Sequence, residues 1–172
     1  MKRITIDGKE YTIEFSIEAT LYNECTESVM AFFIAPQAIE SQVENSAEEN
    51  EATRFENGIK RSISEMADVP QKALTLFYAG LLEHHGTDSG DGSVKSVKDA
   101  KKLLVTYMRE NENVSLYDVL TDMINEMGND NFFDKSGLSK MMENMNKEAE
   151  KQTKQLKQPQ DHEKKTTKVG DK

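Results

Sequence analysis

The sequence predicts a mainly α protein: an N-terminal β-hairpin on a small bundle of about five helices, then a disordered C-terminal tail. Three observations carry this. Asp7-Gly8 stands between two alternating β-rich runs, a strong hairpin signal. Apolar residues recur at three- and four-residue steps through most of residues 16–127. From Asn146 onward the only large apolar residues are Leu156 and Val169, too few to bury the surface that folding requires.

In chain order, Lys2 to Phe15 reads KRITIDGKEYTIEF. A two-residue turn sets Ile4 opposite Tyr11 and Ile6 opposite Lys9, so Ile4, Ile6, Tyr11 and Ile13 share one face. An isolated hairpin is marginal, so that face rests on helices or pairs with another chain. A lid on the core is the commoner arrangement, and edge pairing between subunits is the functional alternative. Ser16 can cap a helix whose stripe is Ile17, Leu21, Cys25 and Val29, widened by Tyr22, Met30, Phe32 and Phe33, and closed by Pro36. Residues 37–54 lack a clean apolar period and are rich in Glu, which reads as a mobile acidic loop. Phe55, Ile59, Ile63 and Met66 mark the next helix, which should end near Asp68.

The stretch from Asp68 to Gly86 is the best-defined buried helix. Asp68 can cap it, Pro70 suits its first turn, and Gly86 suits a left-handed end. Ala73, Leu74, Phe77, Gly80 and Leu81 form a stripe that Leu76, Tyr78 and Leu82 widen around most of the circumference, as in a helix packed on more than one side. Gly80 costs about 1 kcal/mol against alanine here, so it is either tolerated or permits a close helix contact. Residues 87–95 read as a flexible linker. Ser96 starts a helix with Val97, Ala100, Leu104, Tyr107 and Met108 inward, which Asn111 to Asn113 break. Ser115 caps another, with Leu116, Val119, Leu120, Met123, Ile124 and Met127 in register and Gly128 as its stop. Residues 1–128 therefore form the hairpin-plus-helix domain, 129–145 a helical segment suited to a partner, and 146–172 a disordered polar tail.

The chain has 172 residues with 36% hydrophobic and 31% charged content and a net charge of −9. Its mean hydropathy is −0.72. A balance this acidic argues against nonspecific nucleic-acid binding. One cysteine, Cys25, excludes an internal disulfide framework and a zinc cluster. The apolar runs are too short for a signal peptide or a membrane span, so a soluble intracellular protein is expected, with no membrane partner. The Asp-rich stretch TDSGDGS lacks the spacing and terminal Glu of an EF-hand loop. His84 and His85 are adjacent, so their side chains diverge instead of sharing a ligand face. No phosphate loop, HExxH, CxxC or GxSxG stands in the sequence. The expectation is an interaction protein without catalytic residues, metal or cofactor. The Met-rich run after Met127 is its candidate partner surface: Phe132, Phe133, Met141, Met142 and Met145. Met123 and Met127, at the same spacing as their neighbours, read as core.

Three features together resemble tail assembly chaperones of long-tailed bacteriophages, or of prophages in Gram-positive bacteria. ITIDGKEYTIEF runs directly into SIEATLYNEC. The pair FENGIKRSISEMADVP and QKALTLFYAGLLEHHG carries the phrase YAGLLEHH. A polar, Lys-rich tail follows the helical part. The resemblance spans about residues 1–128 in organisation; the acidic loop and the linker at 87–95 depart from it. It implies a non-enzymatic protein of the host cytoplasm that binds tape measure protein and keeps it soluble until the tail tube assembles. It also implies self-association and contact with tail tube protein. The competing class is an acidic regulatory module, or a nucleic-acid mimic, that occupies basic protein surfaces. That reading requires carboxylates arrayed on one ordered face, whereas the densest acid run falls in the expected loop.

Overall fold

The structure is a computed structural model. It describes the backbone of residues 1–31 and 51–156, and side chains over 1–31 and 67–148. The expected loop at 37–54 lies outside the described residues up to position 50, and its last four residues, 51–54, are helical instead, as the first turn of the helix that runs to His85. The apolar cluster Phe32, Phe33 and Ile34 and the tail beyond Leu156 also lie outside the described residues. So do the side chains of Phe55, Ile59, Ile63 and Met66.

Strands β1 (Lys2–Ile6) and β2 (Lys9–Ile13) form a two-stranded antiparallel sheet. Ile4 pairs with Tyr11 and Ile6 with Lys9, the register the Asp7-Gly8 turn dictates. Asp7 and Gly8 take φ of +50° and +70°, the double left-handed turn that matches strand twist. Helix α1 (Ile17–Leu21) is followed by α2 over 23–31, α3 (Glu51–His85), α4 (Val97–Glu110), α5 (Leu116–Asn129), α6 (Phe132–Lys135) and α7 (Leu138–Leu156). The chain divides into two compact units, Met1–Ser136 and Gly137–Lys172.

In the first unit, α3 is the axis: α1, β2, α4 and α5 all pack on it. Ala73, Leu76, Phe77, Ala79 and Leu81 are buried on it, and Ile4, Ile6, Tyr11 and Ile13 of the hairpin are buried with them. The hairpin is thus the lid on the core. Ser96 caps α4 by accepting the Asp99 N–H. Ser115 caps α5 in a full capping box, since Asp118 also accepts the Ser115 N–H at 2.8 Å.

Several expectations fail for physical reasons. Asp68 and Pro70 do not start a helix. Residues 51–85 are one helix with Pro70 inside it, because proline removes a single backbone bond while good helix formers continue on both sides. Asp68 pairs with Lys72 instead, one turn on. The stripe from Ile17 to Val29 is not continuous. Tyr22 takes an extended conformation (φ −83°, ψ 99°) and ends α1. That break rotates the two halves: Cys25 and Val29 are buried, while Ile17 and Leu21 are 66% and 70% exposed and Ala19 faces inward. Gly128 does not stop α5; the left-handed residue is Asn131, at φ +56°.

Gly80 permits a close approach, but by the exit of β2 and not by a helix. Its carbonyl accepts the Glu14 N–H at 2.8 Å. A Cβ there would lie 2.6 Å from Ile13 Cγ2 and 3.3 Å from Phe15 Cζ. Gly80→Ala should gain about 1 kcal/mol of helix propensity and lose about 1–3 kcal/mol to overpacking. The expected net is destabilisation, read as a lower urea midpoint at unchanged slope. A stabilised variant would show that β2 yields at that contact.

Candidate partner-binding surface

The segment after α5 is where the sequence places the partner surface, and the structure divides it. Asp130 closes α5 with its N–H on Glu126, and its side chain accepts the Phe15 N–H at 2.9 Å. That contact ties the chain end of α5 to the exit of the hairpin. Asn131 then turns the chain into α6, and Phe132 enters the core. Phe132 is 0% exposed and stands edge-on to Phe15, ring centroids 5.9 Å apart. Phe132 is therefore removed from the expected surface: it is a core residue of the first unit, which is why that unit extends to Ser136 and not to Gly128. Phe133 is half-buried against Phe132 at 6.0 Å. Met123 and Met127 are buried as expected.

The second unit presents the remaining residues. In α7, Met141 and Met145 are 39% and 38% exposed, and Met142 is half-buried. Leu138, Met142 and Met145 follow one another along one stripe of the helix at steps of four and three. Lys147 pairs with Glu143 on the polar side, one turn apart. Residues 146–156, expected to be disordered, continue this helix, since KEAEKQTKQL is made of good helix formers. Burial within α7 is described only through Glu148.

The other chemically suggestive cluster lies at the end of α3. His84 and His85 do diverge: His84 Nε2 meets Glu14 Oε2 at 2.7 Å, while His85 turns inward. His85 Nε2 accepts the Thr12 backbone N–H at 3.0 Å, so Nδ1 carries the proton and faces Asp91 Oδ2 at 3.2 Å. Ser93 Oγ lies 3.4 Å from that same Nδ1. Asp, His and Ser meet here, but the ring nitrogen that a catalytic base would use is already bonded to the hairpin. The arrangement holds two pieces of backbone to the helix end.

The expected flexible linker is accordingly folded. Asp91 N–H bonds to the His84 carbonyl at 2.9 Å and Val94 N–H to the His85 carbonyl at 2.8 Å, satisfying carbonyls that a helix end leaves open. Gly86 does not take the left-handed conformation expected of a cap; the left-handed glycine is Gly92, further along the loop, at φ +70° with its N–H on the Gly86 carbonyl. Gly90 lies so close to the helix end that a Cβ would fall 2.3 Å from the His85 nitrogen. Hydrogen bonds from the Ser93 side chain and backbone, then from His85, pull Asp91 down to about 2. A depressed carboxyl stabilises the fold above its unfolded value, and that contribution is lost as pH falls from about 4 toward 2. The Ser93 amide should therefore lose protection in that window, and Asp91→Asn should abolish the dependence. A Ser93 amide that stays protected to pH about 2 would show that Asp91 does not hold the loop.

Burial pushes the Cys25 thiol up to about 12, so it stays protonated inside the core. Among the described residues no group of His, Cys, Asp and Glu is placed to hold a metal ion, and no helix is long and apolar enough to cross a membrane. Comparison with protein-family models, with curated proteins and with solved structures returns no match to this chain.

Proposed function

We propose that this chain is a non-enzymatic tail assembly chaperone of a long-tailed bacteriophage or prophage. It acts in the host cytoplasm by holding tape measure protein soluble while tail tube protein assembles. The partner is suggested by the sequence resemblance. The observation that supports the mechanism is the exposed methionine face of α7, in a unit separate from the hairpin-and-helix body. A very long helical client exposes apolar stripes until the tube encloses it. Methionine side chains are unbranched and polarisable, so one face adapts to many such stripes. Weak contacts repeated along the client by many copies give avidity and still release when the tube closes. The surface is Met141, Met142 and Met145; Phe132 is excluded by its burial, and Phe133, half-buried against it in the first unit, is not part of the α7 face.

Co-expression with the tape measure polypeptide tests this. The client should be recovered soluble and in complex with the wild-type chain. The double change Met141→Glu and Met145→Glu should reduce recovery at an unchanged urea midpoint. A client equally soluble with and without this chain, and no complex, would overturn the reading. Unchanged recovery with the double variant would move the contact off α7.

A further inference from the structure

The hairpin's two edges are finished unequally. Along the outer edge of β2, Thr12 N–H is bonded to His85 and Glu14 N–H to the Gly80 carbonyl. Backbone groups alternate in direction along a strand, so these bonds fix the ladder. Lys2, Ile4 and Ile6 exchange bonds with Ile13, Tyr11 and Lys9, while the N–H and C=O of Arg3 and Thr5 point outward from β1. Among the described residues no hydrogen bond reaches those four groups. Arg3 and Thr5 are exposed, and the next outward N–H, that of Asp7, is taken by Glu110 at 3.0 Å. The open edge is therefore two residues long and has a defined end.

We propose that this edge pairs with the same edge of a second copy of the chain, antiparallel about Ile4, joining two hairpins into a four-stranded sheet. The register follows from the groups available. Centred on Ile4, Arg3 of each copy lies opposite Thr5 of the other, and all four free groups of each copy are bonded. Centred on Arg3, two arginines would face each other, which is unfavourable. Centred on Thr5, Arg3 would have to pair with Asp7, whose N–H is occupied and whose φ of +50° is not extended. Only the Ile4 centre satisfies every group without opposing like charges, and it is self-complementary, as a two-fold interface must be. An exposed pair of unbonded strand residues is a template for strand addition. The inference stands on the hairpin alone and is independent of any client.

Sedimentation of the full chain from micromolar to millimolar concentration tests it, with Thr5 as the probe position. Thr5→Lys sets a lysine opposite Arg3 of the second copy twice over, while in its own hairpin it faces Glu10. Dimerisation should weaken by about tenfold. Thr5→Glu sets a carboxylate opposite Arg3 and should strengthen it by a similar factor. Hydrogen exchange at Arg3 and Thr5 should slow as concentration rises, while exchange at Ile4 and Ile6 does not change. Met141→Glu with Met145→Glu should dimerise as the wild type does. A chain that stays monomeric to millimolar concentration overturns the proposal. So does a dimer in which Arg3 and Thr5 still exchange freely, a Thr5→Lys variant that dimerises as well as the wild type, or protection of both amides already in the dilute monomer. None of these outcomes bears on client solubility, so the chaperone reading stands or falls separately.

Discussion

Phe132→Ala is expected to cost the first unit about 3–5 kcal/mol, the range for truncating a buried aromatic. The ring is fully buried and stands edge-on to Phe15, itself fully buried. Phe15 in turn is fixed by its N–H on Asp130 and by its ring beside Gly80. The lost phenyl therefore leaves a cavity between the hairpin exit and α6, at the contact of α6 with α1 and α5, elements too constrained to collapse into it. An aromatic pair adds about 0.5–1.5 kcal/mol beyond burial, so Phe15→Ala and Phe132→Ala should be less than additive when combined. Urea denaturation of the two single variants and the double variant measures this. A Phe132→Ala cost below about 1 kcal/mol would put the ring back on the surface, where the sequence pattern alone places it.

That misplacement shows where sequence reasoning stops. The hairpin was legible to the residue, because a two-residue turn with Asp-Gly fixes both register and facing side chains. The buried faces of α4 and α5 were legible because a serine cap starts an unbroken apolar period in each. Phe132 was not, because α6 is a single turn: four residues show no period, and what buries the ring is Phe15, more than a hundred residues earlier in the chain. The signal that existed was Asp130-Asn131, a helix stop and a left-handed turn that fold the next residues back. Similarly, the loop after His85 looked like a linker by composition. Its order comes from helix-end carbonyls and a buried histidine, partners that composition does not reveal. The methionines of α7 were readable as a Met-rich run, but such a run alone does not state what covers it.

Leu81 and Leu21 make the contrast that tests the architecture itself. Both belong to apolar helical stripes in the sequence, and period alone ranks them together. Leu81 is 0% exposed on α3, the helix against which the hairpin, α4 and α5 all pack. Leu81→Ala should cost about 2–5 kcal/mol, the transfer of three buried carbons plus the cavity they leave. Leu21 ends α1 just before Tyr22 turns the chain, and is exposed to solvent. Leu21→Ala should fall within about 0.5 kcal/mol of the wild type, as surface changes do. The ratio of the two costs is the informative quantity, because unfolded-state effects of one leucine-to-alanine change largely cancel in the comparison. Comparable losses at both positions would mean that α1 and α2 form one continuous helix with Leu21 in the core, and the break at Tyr22 would be wrong. A large loss confined to Leu81 places the core on α3 and leaves Ile17 and Leu21 as an apolar surface.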